Sequence, residues 1–204
     1  MSIVTLNDRG VRSVTAFGSV SGGSMIFIKK LTASSSSTLS FVNGSSSVVF
    51  DSTYKEYLFI CKNIHPSDDN AKFQFNMSTD GSNYNVTKTS TAFRGSHSEN
   101  DANTFLGYQG DYDLAQGTGF QPLTLEDGND NDECSGGFLH IFNPSSTTFV
   151  KHFIGRFAST SYTPEIHDVN TAGYGNTTSA VTAIQFKYDS GTIDAGDICL
   201  YGIL

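Results

Sequence analysis

The segment Lys72-Phe-Gln-Phe-Asn-Met77 decides the fold class of this 204-residue chain, because polar and apolar residues alternate along it without a break. Side chains on a β-strand point alternately to opposite sides, so Phe73, Phe75 and Met77 would share one face. Ala183-Ile-Gln-Phe-Lys-Tyr188 repeats the pattern near the other end of the chain. Both segments are therefore predicted to be half-buried strands.

Other apolar runs lack this alternation and are apolar on both faces. They predict central strands covered on both sides, or strands at a contact between subunits. They occupy residues 25–28, 57–61, 138–142 and 149–157. Turn signals such as Asn43-Gly, Asp80-Gly and Asn143-Pro separate the runs. Because no long stretch carries the helical period, we expect an all-β fold: a jelly-roll-like antiparallel β-sandwich over residues 24–204.

Residues 1–23 are predicted to form a short N-terminal arm. They end in Gly18-Ser-Val-Ser-Gly-Gly23, which is typical of a flexible joint, and their apolar residues are spaced too loosely to build a core of their own. An arm that docks on a neighbouring subunit and a first strand of the same sandwich are equally economical interpretations. The candidate assembly residues are Val4, Leu6, Val11, Val14 and Phe17.

Charge and composition exclude several classes of protein. A net charge of −8 disfavours nucleic acid and anionic membrane surfaces, both of which are bound through Lys and Arg. No apolar run approaches the roughly 20 residues needed to span a bilayer. The start of the chain lacks the pattern of a secretory signal, and Cys61, Cys134 and Cys199 do not make a disulfide framework. We therefore expect synthesis in a reducing cytoplasm and no membrane or nucleic-acid partner.

Motifs for catalysis are missing from the sequence. There is no Gly-x-Ser-x-Gly nucleophile elbow, no Gly-rich phosphate loop, and no zinc spacing of Cys and His. The acidic run at residues 126–133 has the oxygen ligands that Ca²⁺ prefers but lacks the EF-hand spacing, and a solvated loop explains it equally well. The sequence thus predicts a protein that is not an enzyme, with no cofactor and no assigned metal ligand.

Much of residues 25–204 resembles virion structural proteins of marine tailed bacteriophages, such as those of cyanophages and pelagiphages. The most specific segment is the last one, Ser190-Gly-Thr-Ile-Asp-Ala-Gly-Asp-Ile-Cys-Leu-Tyr-Gly-Ile203. The other segments that carry the resemblance are residues 57–66, 78–89, 117–123, 142–153 and 172–179. The resemblance implies a structural component of the particle and carries over no catalytic residue.

From this resemblance we expect a capsid decoration or cement protein, located in the virion after assembly in the host cytoplasm. It would bind the major capsid protein or other virion proteins and self-associate, with a homotrimer expected by analogy with jelly-roll capsid proteins. The alternative is a tail- or fibre-associated module that recognises a host surface glycan. Its candidate residues are Tyr108, Asp111, Tyr112 and Asp113, which combine aromatic rings with carboxylates in one loop region.

Overall fold

The computed structural model describes residues 24–204, which form two antiparallel β-sheets packed face to face. The predicted all-β sandwich is therefore confirmed. The predicted arm, with Val4, Leu6, Val11, Val14 and Phe17, lies outside the described residues. The twelve strands are β1 (Met25–Thr32), β2 (Leu39–Val42), β3 (Glu56–Pro66), β4 (Phe73–Ser78), β5 (Lys88–Ser98), β6 (Thr104–Tyr108), β7 (Gln121–Pro122), β8 (Ser135–Phe142), β9 (Lys151–Thr160), β10 (Glu165–Gly175), β11 (Ala183–Tyr188) and β12 (Ile193–Ile203).

The two sheets differ in size. The larger has eight strands in the order β1-β12-β3-β8-β9-β10-β5-β6, and the smaller has four in the order β2-β11-β4-β7. The hairpin β9–β10 and the hairpin β5–β6 both belong to the larger sheet and extend it on the side of β8. One face of the larger sheet packs against the smaller sheet, and the other face points away from it.

Aromatic side chains fill the space between the sheets. Phe186 on β11 is fully buried and its ring lies 5.2 Å from that of Phe59 and 5.7 Å from that of Phe73, measured between centroids. Phe41 and Phe75 complete the shell around it at 6.3 and 6.4 Å. Rings at such distances bridge two sheets that stand about 10 Å apart. The predicted inward-facing residues of β4 and β11 therefore form the centre of the core.

Strand β4 is buried on both faces, so the prediction of a half-buried strand was wrong on its polar side. Asn76 is completely buried because residues 117–120 cross over it. Its amide nitrogen donates hydrogen bonds to the carbonyls of Tyr84, at 2.6 Å, and Thr118, at 3.0 Å. Burial of an amide is tolerated when its hydrogen bonds are made in this way.

Two of the two-sided apolar runs are placed differently from the prediction. Residues 25–28 belong to β1, which is an edge strand paired only with β12 among the described residues 24–204. The run at 149–157 begins as a loop: Phe149 is 70% exposed and β9 starts at Lys151. An apolar run in the sequence therefore does not show which of its residues form the strand, or whether that strand lies at the centre or the edge of a sheet.

The acidic segment at residues 126–133 is not uniformly solvated. Asp127 is completely buried, and its backbone bridges Ala71 and Ser161. Its Oδ2 atom accepts hydrogen bonds from the Thr124 hydroxyl, at 2.7 Å, and from the Tyr188 hydroxyl, at 3.0 Å. The Asp127 carboxyl therefore belongs to the core and lies apart from the exposed acidic side chains of the same segment.

Candidate functional site

The face of the larger sheet that points away from the smaller sheet carries five of the eleven large hydrophobic side chains that are exposed in the described chain: Phe93, Leu106, Tyr108, Ile154 and Ile166. We call the outward-pointing side chains of β5, β6, β8, β9 and β10 the outer face. The alternating burial along β9 and β10 identifies them, because every second residue is exposed. Its apolar members are Phe93, Leu106, Tyr108, Phe138, Phe142, Ile154, Ala158, Ile166, Ala172 and Tyr174.

The strand register aligns these side chains in rows across the sheet. In the central row Thr91 pairs with Ala172, and Ala172 pairs with Ile154. The row continues through His140 on β8 to Leu58 on β3. Ile154 is 49% exposed, and neither Lys, Arg, Asp nor Glu stands anywhere in this row. Leu58, at the β3 end of the row, is buried, and His140 contacts the Glu56 carboxylate of β3, so the exposed uncharged part of the row is Thr91, Ala172 and Ile154.

Two grooves lie side by side on the outer face. The larger, of about 520 Å³, runs over Thr91 and Ala172 and is bounded by Tyr174 and His152. The smaller, of about 180 Å³, is bounded by Phe93, Phe138 and Arg156. Thr91, Ala172 and Ile154 line both grooves, and Ile154, the largest of the three side chains and 49% exposed, forms a ridge beside the two smaller residues. The small residues at 91 and 172 create the depression, since their side chains cannot fill the space beside it.

Charge on the outer face is balanced within the molecule. Arg156 on β9 and Asp168 on β10 form a two-pronged ion pair, with Nε to Oδ1 at 2.9 Å and Nη2 to Oδ2 at 2.8 Å. Hydrogen bonding from Arg156 lowers the pKa of Asp168, so the carboxylate stays ionised. These two are the sole Lys, Arg, Asp or Glu side chains among the outward-pointing residues of the five strands. The face is therefore close to neutral on a chain of net charge −8.

The edge strand β6 continues the apolar surface to the rim of the sheet. The Tyr108 ring meets the Phe93 ring edge-on, with centroids 5.2 Å apart. Leu106 is 85% exposed beside Gly95. Gly95 adds no side chain, so Leu106 stands above its surroundings. The rim is thus as apolar as the centre.

The structure brings together only part of the candidate glycan site. The Tyr108 hydroxyl donates a hydrogen bond to the Asp113 carboxylate. Tyr112 instead lies beside Lys72, whose Nζ atom is 5.8 Å from the centre of the tyrosine ring. The Asp111 side chain is exposed in the loop between them. Among the four residues, Tyr108 and Asp113 are joined by a hydrogen bond, and the aromatic neighbour of Tyr108 is Phe93, which the sequence did not single out.

The acidic segment does not assemble a metal centre. Within residues 24–204 no group of three or more His, Cys, Asp or Glu side chains is arranged to hold a metal ion. The Glu133 carboxylate accepts a hydrogen bond from the Asp130 backbone, at 2.9 Å, and so turns back on its own loop. The part of the chain that the structure describes also lacks any helix of the length and hydropathy needed to cross a membrane.

Comparison with known proteins adds no relative: no family model, curated protein or solved structure matches this chain. Functional inference therefore depends on the surface itself. The two-sided apolar run at 149–157 did signal part of the outer face, through Ile154. Nothing in the sequence marked Thr91 and Ala172 as groove residues, because only the strand register places these two small residues side by side.

Proposed function

We propose that this protein is a non-enzymatic structural component of a bacteriophage particle, and that it acts by assembly. The observation that carries the proposal is the outer face of the larger sheet, whose apolar rows are exposed in the isolated chain. Exposed apolar patches of this extent on soluble proteins mark sites of association, since leaving them in water costs free energy. The resemblance of residues 25–204 to marine phage virion proteins supplies the setting.

Strand order supports the same proposal. Eight of the strands form antiparallel pairs in which the earliest strand pairs with the latest, the second with the second-latest, and so on inward. The pairs are β1 with β12, β2 with β11, β3 with β8 and β4 with β7. They lie in two sheets as β1-β12-β3-β8 and β2-β11-β4-β7. This is the order expected of a jelly roll, a fold common in viral capsids. The hairpins β5–β6 and β9–β10 would then be additions that widen one sheet.

The specific role that we propose is that of a capsid decoration or cement protein. Copies would associate with one another through the sandwich, and the N-terminal arm at residues 1–23 would attach them to the major capsid protein or another shell protein. Two weak contacts on one assembly raise the apparent affinity by about 10² to 10⁴ through effective concentration alone. Apolar contacts also tolerate the high salt of seawater, in which charge–charge attraction is screened.

The test is binding to phage shells. Purified full-length protein is expected to sediment with shells that lack it. A chain without residues 1–23 is expected to stay in the supernatant while keeping its β-type circular dichroism and its melting temperature. Full binding by the shortened chain would refute the role of the arm. Counting copies in purified particles separates the two locations: hundreds of copies mean the shell, and a few dozen or fewer mean the tail.

The glycan-recognition alternative has one supporting observation, the contact of Tyr108 with Asp113 and Phe93 at an exposed rim. An aromatic ring beside a carboxylate is a common arrangement for binding sugars. An array of host surface polysaccharides tests it with Tyr108→Ala, using Tyr112→Ala as the matched variant, because Tyr112 lies apart beside Lys72. Absence of binding by the parent chain would count against this function.

A further inference from the structure

We propose that the outer face binds the outer face of a second copy of this chain, across a two-fold axis. The inference names the partner of the surface on which the proposed function rests, but it does not require attachment to a phage shell. A surface that binds the same surface on another copy gives a dimer with two-fold symmetry, because each copy presents the same residues to the other. The trimer expected by analogy would need a different surface.

The size of the outer face matches that of a stable dimer interface. Neighbouring strands are about 4.8 Å apart and residues advance about 3.3 Å along a strand, so the five strands present a face of roughly 20 by 35 Å. This corresponds to about 700 Å² on each copy, close to the roughly 800 Å² per partner of a standard specific interface.

Shape on the outer face is complementary to itself. The Ile154 ridge stands directly beside the groove over Thr91 and Ala172. If a two-fold axis passes between ridge and groove, each Ile154 enters the groove of the other copy. The Tyr174 ring, which bounds this groove, and the Phe93 ring, which bounds the smaller groove beside it, would flank the inserted side chain. An isologous contact needs this arrangement of a projection next to a matching depression.

Charge favours a second copy at this face over contact anywhere else on the molecule. Two chains of net charge −8 repel each other through their acidic surfaces. The outer face escapes this repulsion, because the Arg156–Asp168 pair is neutral as a unit. Depletion of unpaired charge at the centre is also the compositional feature that distinguishes interface cores from ordinary surface.

Sedimentation equilibrium on the full-length chain tests the inference. The parent protein is expected to be a dimer. Ile154→Asp is expected to weaken dimerisation by about 100-fold or more, since symmetry buries the new carboxylate twice. Tyr162→Asp is the matched control: Tyr162 is 44% exposed but lies in the β9–β10 turn, outside the outer face. A circular dichroism melt confirms folding, and if Ile154→Asp does not fold, Thr91→Arg, which fills the groove from an exposed position, replaces it.

Cross-linking identifies directly which molecule covers the outer face. Ala172→Cys, treated with a short bis-maleimide, is expected to join two chains, whereas Tyr162→Cys is not. A parent chain that is monomeric at every concentration would overturn the inference, as would an unchanged dimer in both Ile154→Asp and Thr91→Arg. A full-length chain that stays monomeric while the chain without residues 1–23 dimerises would also overturn it, by making the arm the occupant. Shell binding by a parent chain that is monomeric would overturn only the dimer and leave the virion role standing.

Discussion

The Tyr188 hydroxyl donates a 3.0 Å hydrogen bond to Oδ2 of Asp127 in the interior of the sandwich. The Thr124 hydroxyl donates to the same oxygen, and the other carboxyl oxygen, Oδ1, is buried without a hydrogen-bond partner. Burial raises the pKa of Asp127 to about 7, because a carboxylate loses more hydration than these donors replace. The folded protein therefore holds this proton over a pH range in which the unfolded chain releases it.

The contribution of Asp127 to stability is expected to decline as the pH rises. The raised pKa makes the contribution complete below about pH 4, the ordinary value for the unfolded chain, and abolishes it as the pH rises through about 7. Urea denaturation between pH 4.5 and 7 measures it. Asp127→Asn, which keeps the shape but cannot ionise, should flatten the slope in this window. An equal slope in the variant would contradict the burial argument.

Lys88 is expected to have the opposite effect from Asp127: its contribution to stability should increase as the pH rises. It is fully buried, its Nζ atom donates to Asn76 Oδ1 at 2.5 Å and to the Val86 carbonyl at 2.7 Å, and burial lowers its pKa to about 7. For a lowered amine pKa, stability is fully present above about 10.5 and is lost as the pH falls through about 7.

The free energy of unfolding should therefore rise by a few kcal/mol between about pH 7 and 10. Lys88→Met, which keeps the length of the stem, should remove most of that rise. Lys187→Met serves as the matched control, because Lys187 is only partly buried and its Nζ atom lies over the Phe120 ring. A rise of equal size in Lys88→Met would show that another group titrates.

Two adjacent glycines in β8 should respond differently to the same substitution. A methyl group at Gly137 would collide with the Arg156 carbonyl and come within 2.6 Å of the Phe157 ring, whereas one at Gly136 would meet nothing closer than 3.7 Å. Gly137→Ala is expected to destabilise the fold by about 2 kcal/mol or more through overpacking. Gly136→Ala should be neutral or slightly stabilising, by up to about 1 kcal/mol. Equal melting temperatures for the two variants would contradict the close packing of β8 on β9.

Phe186 is expected to be among the most sensitive positions of the core. Four aromatic rings surround it, so Phe186→Ala should cost about 3 to 5 kcal/mol. Phe149→Ala removes the same side chain from a site that is 70% exposed and should cost less than about 0.5 kcal/mol. Denaturant unfolding of both variants gives the comparison. A small effect at Phe186 would mean that the two sheets do not close on this ring.

Sequence patterns predicted the core better than the surface. The period of two at residues 72–77 identified Phe73 and Phe75 as core residues, because alternation is a local property of a strand. The burial of Asn76 and Asp127 could not be foreseen in the same way. Each polar group is covered by a segment distant in sequence, and no local pattern records that contact.

The candidate site shows the same division between local and distant information. Ile154 lay in an apolar run for which a contact between subunits was one of two interpretations. Thr91 and Ala172 were ordinary residues in the sequence and became the floor of a groove only through the β5–β10–β9 register. The separation of Tyr112 from Tyr108 likewise depends on how a loop folds over the smaller sheet. Grooves and rows across a sheet depend on which strands pair and in what register, and the composition of a single strand does not show this.

Strand β12 lies between β1 and β3 in the larger sheet, so a strand at residues 193–203 joins two strands that precede it by more than 120 residues. A nascent chain on the ribosome cannot complete this sheet until residues 193–203 emerge, and the edges of β1 and β3 that pair with β12 stay unpaired until then. Such long-range closure is slow and exposes the intermediate to aggregation. A stop codon just before β12 would remove the shared neighbour of both strands, and we expect cellular proteases to clear that product rather than leave a shorter sandwich.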